Sequence, residues 1–171
     1  MTGSESTQER LEPWSERSAV AAAMFNPALV AVIIAVTSNQ YRATAGLAMP
    51  WPLSFLACPM VLHGPTRSDL PRQSRTSLAS WVSEHEALAA GFAARARNMS
   101  PLVCEGVRFG LREGLLRVVD DGRLHCDEVP SVGVRAPADL RKVVLGAGML
   151  GRVFGRTGDP ATIFATLRVR P

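Results

Sequence analysis

The stretch SPLVCEGVRFGLREGLLRVVDDGRLHC, residues 100–126, carries the fold reading of this chain. Ser100-Pro101 has the form of a helix cap followed by proline in the first turn, where the missing N–H would have no partner anyway. Helical composition continues to about Glu113, and Gly114 is a stop signal. Residues 115–119 and 123–126 are two short strand-like runs around Asp120-Asp121-Gly122, a turn sequence that closes a β-hairpin. Helix, glycine and hairpin in this order form the back half of a winged helix-turn-helix. Residues 86–97, with Leu88, Phe92 and Ala96 as their apolar stripe, supply the helix that completes it, across a tight turn at Asn98-Met99-Ser100.

Upstream, Asn26 is placed to cap a helix whose first residue is Pro27 and which runs to about Tyr41. It is apolar nearly all round, which makes it a buried central helix. Residues 43–52, with Gly46, Pro50 and Pro52, read as a loop. Residues 53–63 read as a second apolar helix in which Pro59 predicts a kink or an early break. Residues 64–74 form a basic, proline-containing connection, and a short helix runs from about Thr76 through Trp81 to Glu84, with Ser74 or Thr76 as its cap.

Downstream, residues 128–136 are a Pro/Gly linker, and a long helix begins near Ala138 and ends by Gly158. Leu140, Val143, Val144, Ala147, Leu150 and Phe154 fall on one face at helical spacing. Arg141, Arg152 and Arg156 fall together on the other side. Gly158-Asp159-Pro160 is a stop, a cap and the start of a last short helix reaching about Leu167. The expected fold is mainly α, a winged helix-turn-helix core with one β-hairpin wing and C-terminal helices. It comprises an acidic N-terminal arm (1–18), a helical winged-helix domain (19–127), the linker (128–136) and a C-terminal helical segment packing on the domain (137–171).

Composition agrees with one globular domain and excludes wholesale disorder: 171 residues, 47% hydrophobic, 20% charged, formal net charge +4. Of the 19 basic residues only Lys142 is lysine. The positive balance sits in residues 135–171, which hold seven bases against Asp139 and Asp159. Cys58, Cys104 and Cys126 are too sparse for a disulfide framework or a paired-cysteine zinc site, which reads as a reduced, cytoplasmic chain. Residues 19–36 approach the length of a membrane span. Asn26-Pro27 in their middle, their alanine content and the polar Thr37-Ser38-Asn39-Gln40 that follows argue against insertion. Glu5, Glu9, Glu12 and Glu16 stand where a secretion signal would be positive.

No catalytic motif is present: there is no Gly-x-Ser-x-Gly, no His-Glu-x-x-His and no phosphate-binding glycine loop. Cys104 or Cys126 with His125 is the one conceivable nucleophile pair, but adjacent His125 and Cys126 in a strand point to opposite faces. Zinc on Cys58, His63, Cys104 and Cys126 would need long-range assembly without a local pair. The expectation is no enzyme, no cofactor and no metal.

Arg108 and Arg112, one turn apart on helix 101–113, and Arg123 of the wing are the candidate nucleic-acid contacts. Glu105 and Glu113 lie beside them, the wing tip is acidic, and residues 64–127 hold nine arginines against eight acids. A duplex reader is normally more basic, so protein docking is the preferred reading. Arg141, Arg152 and Arg156 are the candidate partner or phosphate-binding face, suited to an acidic protein or a phosphate backbone. Trp51 and Trp81 are candidate docking anchors, with Trp81 equally suited to the core.

A set of short strings also stands in a definite order: Phe25-Asn26-Pro27-Ala28, Pro59-Met60-Val61-Leu62-His63, Thr66-Arg67 with Leu70-Pro71, and Arg75-Thr76-Ser77-Leu78 with Trp81. Phe92, Arg95-Ala96-Arg97, Leu150-Gly151-Arg152 with Phe154 and Arg156, and Val169-Arg170-Pro171 complete it. In order and spacing, from about residue 20 to the end, this resembles the middle component of bacterial three-component ABC-ATPase systems. Val153 stands where an aromatic is expected, and Arg168 where glycine is expected. The resemblance implies a non-enzymatic adaptor of winged-helix character in conflict with phage or other foreign DNA. Its implied partners are a coiled-coil ABC ATPase, which binds the ATP, and a variable third component. DNA would be met through the complex, and no membrane is involved. The alternative is a stand-alone winged-helix DNA-binding regulator.

Overall fold

The computed structural model describes residues 16, 26–119, 121–131, 133 and 135–170. The acidic arm, apart from exposed Glu16, lies outside them, as do residues 19–25 and Asp120 of the wing tip. The described chain is mainly helical with one small antiparallel sheet. Its elements are α1 (Pro27–Ala45), β1 (Met49–Pro50), α2 (Ser54–Leu62), α3 (Gly64–Ser68), α4 (Leu78–Glu84) and α5 (Glu86–Ala90). Then follow α6 (Phe92–Arg112), β2 (Arg117–Val119), β3 (Arg123–His125), α7 (Ala138–Thr157) and α8 (Pro160–Thr166).

Helix α1 begins as its sequence predicts. Asn26 Oδ1 accepts hydrogen bonds from the backbone N–H groups of Ala28 (2.9 Å) and Leu29 (3.4 Å). It runs past Tyr41 because the polar residues after the apolar run satisfy themselves within the helix. Thr37 Oγ1 lies 2.8 Å from the Ile33 carbonyl and 3.3 Å from that of Ala147, and Ser38 Oγ donates to Ala35 at 3.1 Å. Gly46 ends it in the left-handed region (φ 76), its N–H bonded to Arg42. No helix among the described residues is long and apolar enough to cross a membrane.

Glycines decide how the long helices meet. A Cβ on Gly151 of α7 would overlap the Thr37 carbonyl oxygen of α1, and one on Gly155 would lie 2.9 Å from Thr44 Cβ. On α6, a Cβ at Gly106 would fall 2.6 Å from Val30 Cβ, and one at Gly110 would fall 2.6 Å from Leu116 Cδ1. Helix α2 packs against α1, α6 and α7, contributing fully buried Leu56, Ala57, Cys58 and Met60. It continues through Pro59 and ends at Leu62.

Four expectations need correction. Helix α6 is continuous from Phe92 to Arg112, so the tight turn at Asn98-Met99-Ser100 does not exist. Pro101 sits inside it, and Ser100 Oγ donates to the Ala96 carbonyl (3.1 Å) instead of capping a new helix. Burial of Phe92 and Ala96 before the proline, and of Leu102, Val103 and Gly106 after it, holds both halves to one core. That tertiary packing outweighs the one backbone bond a proline removes. The break lies earlier, at Gly91. A winged-helix arrangement is therefore not confirmed.

Second, residues 43–52 are not simply a loop. After α1 ends, Met49 and Pro50 pair with Leu124 and Arg123, giving an antiparallel sheet in the order β1-β3-β2. The expected hairpin is present, with Asp121 (φ 50) and Gly122 (φ 84) in left-handed conformations at its turn. It is anchored to the core by β1 rather than projecting as a free wing. Pro50 fits an edge strand, where no donor is needed. Third, residues 64–68 form helix α3, capped by His63, whose Nδ1 accepts from the Thr66 N–H (3.3 Å). Fourth, the helix through Trp81 starts at Leu78 rather than near Thr76, and its cap is Ser77, whose Oγ accepts from the Ser80 N–H (3.0 Å), not Ser74 or Thr76. The C-terminal expectations hold closely: α7 spans Ala138–Thr157, and α8 begins at Pro160 behind its cap Asp159.

Candidate docking surfaces

A groove of about 580 Å³ is built from three distant parts of the chain: the segment after β1, the N-terminal half of α6 and the C-terminal tail. Trp51, 47% exposed, meets Phe55 edge-on, ring centroids 5.5 Å apart at 77°. The hairpin turn at Gly122 backs against the same indole, since a Cβ there would lie 3.4 Å from Trp51 Cδ1. Opposite stand Phe164 and Val169, with exposed Arg97, Arg168 and Arg170 around the opening. These three arginines have no carboxylate partner among the described residues.

Arg168 is held in the left-handed region (φ 54), where glycine is at ease and other residues are uncommon. It ends α8 in a Schellman arrangement, its own N–H bonded to Ala165 and that of Val169 to Phe164, both at 3.0 Å. The position at which the resemblance led us to expect glycine thus has the backbone geometry that favours glycine.

Arg108 and Arg112 do share a surface. With Phe109 and Glu105 they line a groove beside Asn26, Pro27 and Ala28 at the start of α1. Arg112 Nε pairs with Glu113 (2.9 Å), and its guanidinium stands 5.4 Å over the Phe109 ring. Arg123 is elsewhere. Its Nη1 donates to the Ala48 carbonyl (3.1 Å), tying β3 to the approach of β1, and it lines a cleft with Arg42, Arg117 and His125. Arg117 (2.7 Å) and His125 (2.9 Å) both engage Asp127, and these hydrogen bonds hold that carboxyl below its ordinary range.

The arginines of α7 take separate environments. Arg141 is exposed on its first turns. Arg152 turns to α1, where its Nη1 donates to Gln40 Oε1 at 2.7 Å. Exposed Arg156 lines a hydroxyl-rich cleft with Arg75, Ser77, Thr157 and Thr162. Nothing local in the sequence brings Arg75 to Arg156, or Arg97 to Arg168, because each pair meets only through tertiary packing. Trp81 belongs to the core, 3% exposed, with its indole N–H donating to the Asp69 carbonyl (2.6 Å).

Cys58 and Cys126 are placed as small core groups, and Cys104 is half-buried on α6. Burial pushes the Cys58 thiol far up. Burial, then the nearby Asp127, raises that of Cys126, whose Sγ donates to the Glu128 carbonyl at 3.4 Å. Among the described residues no three side chains of His, Cys, Asp or Glu converge as a metal site would require.

Comparison with known proteins adds one match. The family described as ABC-three component (ABC-3C) system Middle Component 3 matches residues 14–171. No curated protein and no solved structure matches significantly. The family match takes in the whole helical core, the sheet, the groove and the tail, and the chain therefore belongs to the middle component 3 family of ABC-three component systems.

Proposed function

We propose that this protein is a non-enzymatic adaptor of the cytoplasm, holding a coiled-coil ABC ATPase and a variable third component together in conflict with phage or other foreign DNA. The observation that carries this reading is the family match over residues 14–171. The shape of the molecule supports it: a core closed by glycine contacts presents separate surfaces, one around Trp51 and another around Arg108 and Arg112. Exposed Arg141 and Arg156 supply further positive charge on α7. No cofactor is needed for such a role, since ATP binds the partner.

Coupling to the ATPase requires a surface with different affinity for its two nucleotide states, because a ligand shifts an equilibrium only by its differential affinity. A tagged pull-down from the host, with mass spectrometry of the co-purifying chains, tests the reading. A stoichiometric coiled-coil ATPase is the expected result, and recovery of this chain alone or with DNA only would sink it.

A second reading, a stand-alone duplex-binding regulator, draws on Arg108 and Arg112 sharing one exposed groove. It predicts salt-dependent duplex binding that Arg108→Ala and Arg112→Ala weaken. The adaptor predicts little affinity for DNA on its own.

A further inference from the structure

The tail after α8 gives up backbone comfort to place a cation. Arg168 lies at φ 54, pinned there by the two hydrogen bonds that close the helix end. A non-glycine residue in this region is strained, and such strain collects where a side chain has work to do. The same turn sets Phe164 and Val169 in the wall of the groove, while Arg168 and Arg170 stand with Arg97 around its opening. Among the described residues no acidic one lines the groove. Across it stands Trp51, a large apolar side chain left 47% exposed.

We infer that this groove receives a segment of a partner protein in which an aliphatic or aromatic side chain is flanked by Asp or Glu. The inference rests on the adaptor reading and names the chemistry of what one of its surfaces holds. The anchor side chain enters between Trp51 and Phe164, and the flanking carboxylates meet the guanidinium groups, which bind carboxylate in a fixed planar fork. Single-stranded nucleic acid suits the site less well. The Trp51 ring is already engaged by Phe55 and by the hairpin turn at Gly122. Stacking platforms keep a ring face open to bases.

The test is selection from a random displayed-peptide library on the purified full chain. Affinities of the selected peptides are then measured for wild type, Trp51→Ala, Arg97→Glu and Arg168→Gly. The expected consensus is an apolar residue among acids, with binding weakened about tenfold or more by Trp51→Ala and by Arg97→Glu. Arg168→Gly is expected to weaken binding while raising Tm, a pair of opposite changes that a purely structural arginine would not give. Arg97 and Arg168 are both exposed, so their variants keep the test decisive if Trp51→Ala fails to fold. Peptides without acidic residues, or affinities untouched by all three variants, would overturn the inference. So would competition by a thymidine oligonucleotide that the same variants abolish. A consensus matching the chain's own residues 5–16, with tighter binding once they are deleted, would assign the groove to the chain itself and overturn the partner. Host pull-downs that recover the ATPase equally with wild type and all groove variants would remove the ATPase from this groove and leave the adaptor standing. Recovery of no ATPase, with the peptide results as expected, would sink the adaptor and leave the groove's chemistry supported.

Discussion

Helices α6 and α7 both lie on α1, and they do so by different means. Helix α7 meets the C-terminal half of α1 backbone to backbone: Gly151 faces the Thr37 carbonyl and the Tyr41 N–H, and Gly155 faces the Tyr41 carbonyl. Helix α6 meets its beginning mainly through side chains, Gly106 against Val30 and Gly110 against Ala31, with Leu116 of the following segment also packed on Gly110. The difference teaches where the molecule can yield. A side chain has other rotamers, whereas two helix backbones in contact can separate only by moving a whole helix.

The largest effect is expected at Gly151. Gly151→Ala should destabilise the chain by about 3 kcal/mol in denaturant unfolding, at the upper end of ordinary overpacking costs, even though alanine favours helix. Little or no loss there would break the comparison at its strongest point. On α6, Gly110→Ala should cost less, about 1.5 kcal/mol, because the Leu116 Cδ1 it would meet is the far end of a flexible side chain with other rotamers. Equal costs at the two sites would mean that the two contacts do not differ in kind.

The hydrogen bond from Arg152 to Gln40 belongs to the α7 side of the comparison. Arg152→Met keeps the stem and removes the bond, and should cost about 1 kcal/mol. An unchanged Tm would return Arg152 to the solvent-facing role its spacing indicates.

The smallest effect concerns α3, which packs on α7 and is capped by His63. Burial, then the nearby Arg95 and Arg67, holds the His63 pKa below its ordinary value. The unfolded chain therefore binds the proton more readily. The contribution is fully present above about pH 6.5 and is lost as pH falls from there toward the lowered folded value. Thermal melts between pH 7.5 and 5 should show that loss in wild type. His63→Asn, which keeps a capping acceptor without a titrating group, should flatten this part of the profile, and an unchanged slope would assign it elsewhere.

Much of the fold was legible because some signals are local. Asn26-Pro27 satisfies the donors of its own helix end, and the helical period running through the twenty residues of α7 needs no partner to be recognised. The hairpin at Asp121-Gly122 was legible for the same reason. Ser100-Pro101 misled because a helix start and a proline inside a longer helix look alike over four residues. What separates them is burial on both sides of the proline, a property of the assembled core. Strand β1 has two residues and no period to read; only its pairing with Leu124 and Arg123 makes it a strand.

The candidate surfaces follow the same division. Trp51 was legible as an anchor because an aromatic between prolines in a short irregular segment has few ways to be buried. Its distant partners were not legible, since Arg97 comes from α6 and Phe164 and Arg168 from α8 and the C-terminal tail. By itself the sequence determined the central helix, the long C-terminal helix, the hairpin and the resemblance to a middle component, all written in neighbouring residues or in their order. Only the tertiary structure decided that α6 is one helix, that glycines bring helix axes into contact and that three arginines surround an apolar groove. Those features depend on which distant surfaces exclude water together, and no local spacing encodes that.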